Sequence, residues 1–153
     1  MHRLLPLLLV LLLNAPGLVA AAEPEGLVTK RSPYSVDRTL DRLASVVKEK
    51  GITVFARVSH SEGAADVGME LRPTELLIFG NPKVGTHFFT SRQTAGLDLP
   101  MKALAWTDAE GRVWLAYNDP AYIAARHGIG DRSAVVKKMT RALDALTDRA
   151  VGR

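Results

Sequence analysis

The order of apolar and polar positions divides the chain into short segments with strand-like alternation and longer segments with helical spacing. Residues 76–79 are apolar at every position, which is typical of a central strand covered on both faces. The turn sequence at residues 108–111 predicts a hairpin between the last two strands. Alternating segments predict the other strands near residues 27–31, 52–60, 101–107 and 112–117.

Three segments have the capping residues or the apolar spacing of helices. Ser35 is the predicted N-cap of the first helix, which ends near Gly51. Asp119 and Pro120 open the second helix, and Ser133 is the predicted cap of the last one. The first and last helices each have one apolar face, formed by Val36, Leu40, Leu43 and Val47 and by Val136, Met139, Leu143, Leu146 and Ala150.

The predicted order of elements is β-α-β-β-β-β-α-α, with an irregular or weakly helical stretch over residues 83–100. Consecutive strands joined by short corners form antiparallel pairs, and the apolar helix faces then cover the sheet. The sequence therefore predicts an α+β protein with an antiparallel sheet of about five strands backed by helices.

The register of the hairpin decides which side chains share a face of the sheet. If Thr107 faces Arg112, the small Ala103 and Ala105 lie on one face, where a helix can pack closely. The bulky side chains then share the other face: Leu104, Trp106, Val113, Leu115 and Tyr117. An uncovered apolar face of this kind usually meets a partner, so these five residues are a predicted homodimer interface.

The first residues show the three parts of a secretory signal peptide. Arg3 gives a positive start, residues 4–13 form an apolar run, and Ala20-Ala21-Ala22 is an A-x-A-like cleavage site. The apolar run has roughly half of the ~20 residues that a membrane span needs. We expect residues 1–22 to be removed and the mature protein to be periplasmic or secreted, without a membrane anchor.

The amino-acid composition bears on covalent cross-links, on lipid anchoring and on nucleic-acid binding. The chain has no cysteine, so it forms no disulfide and carries no lipoprotein anchor. Its 20 Lys and Arg against 16 Asp and Glu give a net charge of +4, and these charges are interspersed. A nucleic-acid-binding protein would show a basic stripe or patch, so no nucleic-acid partner is expected.

Four motifs resemble those of the bacterial domain of unknown function 302 family. They are GITVFAR followed by His60, RPTELLIFGNP, AGLDLPMK, and YNDP with Arg126 and His127. The resemblance implies a curved antiparallel sheet backed by helices, in a layout similar to the TATA-binding-protein-like class, and a homodimer. It supplies no catalytic residues, because the family has no established activity. It assigns residues 23–130 to the family domain and residues 131–153 to a C-terminal helix that packs on the domain or extends from it.

The candidate catalytic residues are few. His60, His87 and His127 show neither the H-x-x-x-H nor the H-E-x-x-H spacing of a metal site, so no metal and no cofactor is predicted. Asp98 lies at a corner where a carboxylate can do acid–base work or close a turn. One possible function is thus a hydrolase-like or metal-dependent periplasmic enzyme that uses His60, Asp98 or His127.

A group of polar residues flanks the predicted strand ends: Asn81, Asp98, Lys102, Asn118 and Asp119. With Trp106 and Tyr117 they form a candidate ligand rim around an apolar groove. The competing explanation is that they satisfy loop backbones, and helix capping accounts fully for Asp119. The leading hypothesis is an exported, non-enzymatic, dimeric module that binds a small ligand or a protein.

Overall fold

A computed structural model describes residues 24–153 and contains one five-stranded antiparallel sheet with helices packed on it. The spatial order of the strands is β1-β5-β4-β3-β2. The strands are β1 (Leu27–Ser32), β2 (Thr53–Ser59), β3 (Thr74–Gly80), β4 (Met101–Thr107) and β5 (Val113–Asn118). The predicted antiparallel α+β architecture is confirmed, and the predicted signal peptide over residues 1–22 lies outside the described residues.

The helices are α1 (Val36–Glu49), α2 (His60–Asp66), α3 (Pro82–Ser91), α4 (Pro120–Arg126) and α5 (Ser133–Val151). A short 3-10 helix, Gln93–Leu97, follows α3. The stretch predicted to be irregular or weakly helical thus contains a regular helix, which Asn81 caps and Pro82 opens. Within residues 24–153, no helix combines the length and the apolarity needed to cross a membrane.

Two of the three predicted caps are confirmed. The Ser35 hydroxyl accepts the backbone N–H of Arg38 at 3.3 Å, and the Asp119 carboxylate accepts that of Ala121 at 2.9 Å. The prediction for Ser133 is wrong, because Ser133 is the first residue of α5 and the N-cap, Arg132, makes no side-chain capping bond. A serine at the start of a helical pattern can be either the N-cap or the first helical residue, and the pattern alone does not distinguish the two positions.

Helices α1 and α5 pack against each other and cover one face of the sheet. Leu40, Leu43 and Val47 of α1 are fully buried there. Ala103 and Ala105 of β4 lie beneath the helices with no exposed surface, and their small side chains allow close approach. The remaining core residues on this face are supplied by α5 and the neighbouring strands: Leu143, Leu146, Ala150, Leu77, Phe79 and Leu115.

The hairpin register differs by one residue from the predicted one. Thr107 faces Val113 rather than Arg112, because the Asp108 carboxylate accepts the Arg112 N–H at 2.8 Å and holds Arg112 in the loop. A shift of one residue moves alternate side chains to the opposite face. The predicted interface set is therefore split: Leu104 and Trp106 lie on the face away from α1 and α5, while Val113, Leu115 and Tyr117 lie beneath the helices.

The face away from α1 and α5, here called the open face, carries neither of these two long helices, and of the other helices α2 contacts β3. Its apolar residues are Leu76, Ile78, Leu104, Trp106, Trp114 and Ala116, and the same registers place Thr29, Arg31, Thr74 and Lys102 on this face as well. The prediction that residues 76–79 are covered on both faces is wrong for this side. Leu77 and Phe79 are buried beneath the helices, whereas Leu76 and Ile78 are half-buried on the open face.

Lys30 of β1 links the sheet to α5 through ion pairs of its buried side chain on the helix-covered face. Its side chain is 6% exposed, and its ammonium lies 2.7 Å from a carboxylate oxygen of both Asp144 and Asp148. It also donates to the backbone carbonyl of Asp144 at 2.8 Å. Burial lowers the pKa of Lys30, but the two carboxylates more than offset burial and raise this pKa above its ordinary value of 10.5.

Substituting Lys30→Met should lower the free energy of unfolding by about 1–2 kcal/mol at neutral pH, since it removes hydrogen bonds to charged groups. The raised pKa means that Lys30 contributes its full stabilisation below pH 10.5 and loses it as the pH rises through the folded value. Urea unfolding followed by circular dichroism measures both effects. The exposed Lys48→Met is the matched control, and equal stabilities of Lys30→Met and wild type at neutral pH would contradict this role.

Candidate functional site

The residues of the predicted rim lie at one end of the sheet. Strands β3 and β5 both run antiparallel to β4, so Asn81, which follows β3, and Asn118, the last residue of β5, lie at the same end of the sheet. Asp98 and Lys102 lie beside the start of β4, between these two strand ends. The strands of Asn81 and Asn118 are not neighbours, because β4 separates them.

Most polar groups of the rim are used by the local backbone. Asn81 Oδ1 accepts the N–H of Lys83 at 2.9 Å and thereby caps α3. Lys102 Nζ donates to the carbonyl of Asp98 at 2.9 Å. Asp119 caps α4 and also accepts the hydroxyl of Thr140 at 3.0 Å. Capping and turn closure therefore account for these side chains, as the competing explanation expects.

The side chains of Asp98 and His127 form a hydrogen-bonded pair that is largely shielded from solvent. His127 Nε2 lies 2.6 Å from Asp98 Oδ2, and its Nδ1 lies 3.0 Å from Thr94 Oγ1. The other oxygen of Asp98 accepts from Arg126 at 3.2 Å. The side chains of Asp98 and His127 are 12% and 6% exposed. These contacts join the end of α4 to the 3-10 helix and leave little room for a substrate at the carboxylate.

His60 does not lie at the same end of the sheet as Asp98 and His127. It follows the end of β2, and Ser59 at that end faces Glu75 at the start of β3, so His60 belongs to the opposite end of the sheet. His87 is exposed on α3. Among the described residues, no three histidines or carboxylates are arranged to hold a metal ion. The structure thus brings together two of the three residues of the enzymatic alternative.

A charged cluster at this opposite end joins α1 to the sheet. Arg57 of β2 binds Glu75 at 2.6 Å, Asp41 at 2.5 Å and Asp37 at 3.2 Å. Burial raises the pKa of Glu75 and the nearby Asp37 adds to this rise, while Arg57 opposes it. All three carboxylates form ion pairs with the guanidinium of Arg57. The cluster therefore has a structural role and links α1 to β2 and β3.

An apolar pocket of about 370 Å³ opens between α3, α5 and the rim end of the sheet. Phe79 and Met101 line it from the sheet, and Val84 and Phe89 line it from α3. One face of α5 forms another wall, with Met139, Ala142, Leu143 and Leu146. These positions have the same spacing as a stripe that packs into a core, so the sequence pattern alone gave no sign of a pocket.

The charged groups of this α3–α5 pocket lie where it meets solvent. Lys50 at the end of α1 and Lys138 of α5 line the pocket, and both are exposed. Within residues 24–153 the lining contains no acidic side chain. Neither lysine forms an ion pair with a carboxylate in this part of the chain. The mouth therefore carries uncompensated positive charge next to an apolar interior.

The open face has a rigid aromatic end near the hairpin. Trp106 and Trp114 are directly opposite each other in the β4–β5 register, and the Trp114 indole donates to Asp108 at 2.8 Å. Burial opposes ionisation of Asp108, but hydrogen bonds from Trp114 and Arg112 outweigh it and hold the pKa of Asp108 well below its usual range. Asp108 thus stays ionised at neutral pH and fixes both the loop and the neighbouring indole.

A solved structure confirms this architecture in another protein. The uncharacterized conserved protein DUF302 from Bacillus stearothermophilus superimposes with a TM-score of 0.75 at 19% sequence identity. The match covers 82% of this chain and 98% of that one. At this level of identity the likeness concerns the fold alone.

Sequence relatives are found among proteins named fluoride-specific ion channel FluC 1. Those of Brucella suis biovar 1 (strain 1330) and Brucella abortus biovar 1 (strain 9-941) are each 47% identical to this chain over 135 residues, or 88% of its length. The chain spans about half the length of these curated relatives, 53% and 50% respectively. The model of the family described as "Domain of unknown function DUF302" matches residues 28–146, which include most of α5. The chain therefore belongs to the DUF302 family.

Proposed function

We propose that this chain is an exported, non-enzymatic module that binds a small apolar ligand in the α3–α5 pocket and dimerises through the open face. The pocket is the observation that carries the binding role. Its volume of about 370 Å³ falls within the range of about 300–1,000 Å³ found for small-molecule sites. Its apolar walls with a few polar groups at the mouth are also typical of such sites.

An enzymatic role is less well supported by the side chains at hand. A general acid or base must reach the reacting atom of a bound substrate. Asp98 and His127 instead direct their polar atoms at each other, at Thr94 and at Arg126. The α3–α5 pocket itself is lined by no histidine and no carboxylate in the described part of the chain, so its interior favours binding over acid–base chemistry.

Filling the pocket should weaken the binding of a neutral apolar probe such as N-phenyl-1-naphthylamine. Ala142 lines the pocket from α5, so Ala142→Trp should raise the dissociation constant about tenfold, equivalent to losing about 55 Å² of apolar contact. Ala145 is exposed on the same helix but lies outside the lining, which makes Ala145→Trp the matched control. A fluorescence titration measures both, and equal weakening by the two variants would count against the pocket.

Dimerisation is supported by the apolar character of the open face. A contiguous apolar patch on a protein surface usually marks an interaction site. In a two-fold dimer the same patch meets itself, so Trp106 and Trp114 of one protomer would lie against the same face of its partner. Tryptophan is also enriched among the residues that dominate interface energetics.

Trp106→Glu should convert a dimer into a monomer, because it places a charge among the apolar side chains of the open face. Loss of such an aromatic anchor weakens association by about 30-fold or more. Size-exclusion chromatography with light scattering gives the mass, and Trp106→Phe is the control that retains the dimer. Leu115→Glu does not test the interface, since Leu115 is fully buried beneath the helices and its substitution should unfold the chain. A monomeric wild type at micromolar concentration would exclude the dimer.

Export is supported by the pattern of the first residues, and the cleavage site makes it testable. Cleavage after Ala22 should give a protein that begins at Glu23, as read from the intact mass of protein expressed in a bacterial host. Signal cleavage needs small residues one and three positions before the cut, so Ala22→Arg should leave the full-length chain. Ala21→Arg, at the tolerant position between them, should still be processed. Full-length wild-type protein in the cytoplasm would contradict export.

A further inference from the structure

We propose that the ligand of the α3–α5 pocket is a single-chain amphiphile with an anionic headgroup, of the chemical class of a free fatty acid. This inference rests on the proposed binding role of the pocket and adds the chemistry of its occupant. The apolar tail lies along the inner walls, and the carboxylate lies at the mouth between Lys50 and Lys138.

The inner walls fit a flexible hydrocarbon better than a polar ring system. They consist mainly of aliphatic and aromatic side chains, and the two methionines, Met101 and Met139, adapt readily to irregular shapes. A polar ligand would lose hydrogen bonds to water inside these walls without regaining them. A hydrocarbon loses none, and each buried methylene contributes through the hydrophobic effect.

The mouth selects the sign of the headgroup. Lys50 and Lys138 are free of ion pairs to carboxylates within residues 24–153. Glu49, the acidic residue next to Lys50, is held by Arg149 at 2.7 Å. A carboxylate at the mouth therefore meets two ammonium groups, whereas a cationic headgroup would be repelled by both.

Helix α3 is the wall that a ligand would stabilise most. Phe88 is its single buried residue, and the helix packs mainly on the adjacent 3-10 helix. Phe89 and Val84 line the pocket and would gain apolar contacts from a hydrocarbon tail. Segments with few buried contacts open locally, so an occupied pocket should slow amide hydrogen exchange in α3.

Ligands that differ in headgroup and in chain length test the anionic headgroup and the apolar tail separately. Isothermal titration calorimetry with dodecanoate, dodecanol and dodecylamine, each below its critical micelle concentration, should show dodecanoate binding about tenfold more tightly than dodecanol at low salt. Dodecylamine should bind more weakly than dodecanol. Shortening dodecanoate to decanoate should weaken binding by about fourfold for each buried methylene removed.

Charge reversal at the mouth tests the position of the headgroup. Lys138→Glu should weaken dodecanoate binding about tenfold and strengthen dodecylamine binding. Lys137→Glu is the matched control, since Lys137 is an adjacent exposed lysine that does not line the pocket. Lys50→Glu and its control Lys48→Glu repeat the comparison on α1. Circular dichroism confirms that each variant is folded.

Methionine methyl resonances locate the tail independently of affinity. With ¹³C-methyl methionine, dodecanoate should shift the signals of Met101 and Met139, which line the pocket. The signal of Met69, which is 67% exposed and outside the lining, should not move. Shifts confined to Met69 would place the ligand elsewhere and overturn the proposal.

The outcomes distinguish this inference from the proposed function. If none of the three amphiphiles binds and N-phenyl-1-naphthylamine does not bind either, the pocket is not a ligand site. If dodecanol and dodecylamine bind as tightly as dodecanoate, the pocket binds apolar chains but the anionic headgroup is wrong. Binding to phosphatidylglycerol vesicles without binding of monomeric dodecanoate would replace the free ligand with a membrane surface.

Discussion

The one-sided cover of the sheet is the constraint on which the rest of the structure depends. Helices α1 and α5 pack together on one face, where the alanines of β4 allow them to approach closely. Both long amphipathic helices are used for this layer, and Lys30 ties β1 to α5 within it. The opposite face presents aromatic and aliphatic side chains without either long helix over them, and this asymmetry is the physical basis of the proposed dimer.

The same layer produces the pocket at the end of the sheet. Helix α5 forms one wall of the pocket, and α3, which follows β3, has only one buried side chain. Apolar walls therefore remain between α3, α5 and the sheet where no further element fills the space. The rim residues that looked most like a site are used to cap helices and close turns, so the place with room for a ligand is lined by side chains without catalytic chemistry.

Membership of the DUF302 family and the likeness to the Bacillus stearothermophilus protein show that this architecture tolerates extensive sequence change. At 19% identity, two chains keep the same sheet and helices. This is expected when a fold depends on the apolar pattern and approximate side-chain volume rather than on particular residues. Charged side chains such as Lys50 and Lys138 at the pocket mouth are not part of that apolar pattern.

Local signals in the sequence determined much of the fold. The caps Ser35 and Asp119, the apolar faces of α1 and α5 and the approximate positions of the five strands depend on neighbours within a few residues, and these predictions are confirmed. The apolar pattern did not determine the hairpin register, because a local contact of the Asp108 carboxylate with the Arg112 N–H shifts it by one residue and exchanges the faces. Tertiary structure alone decided the contact of Asp98 with His127 and the convergence of Lys50, Phe89 and Met139 on one pocket. These residues are distant in sequence, and only the packing of complete helices on the sheet brings them together.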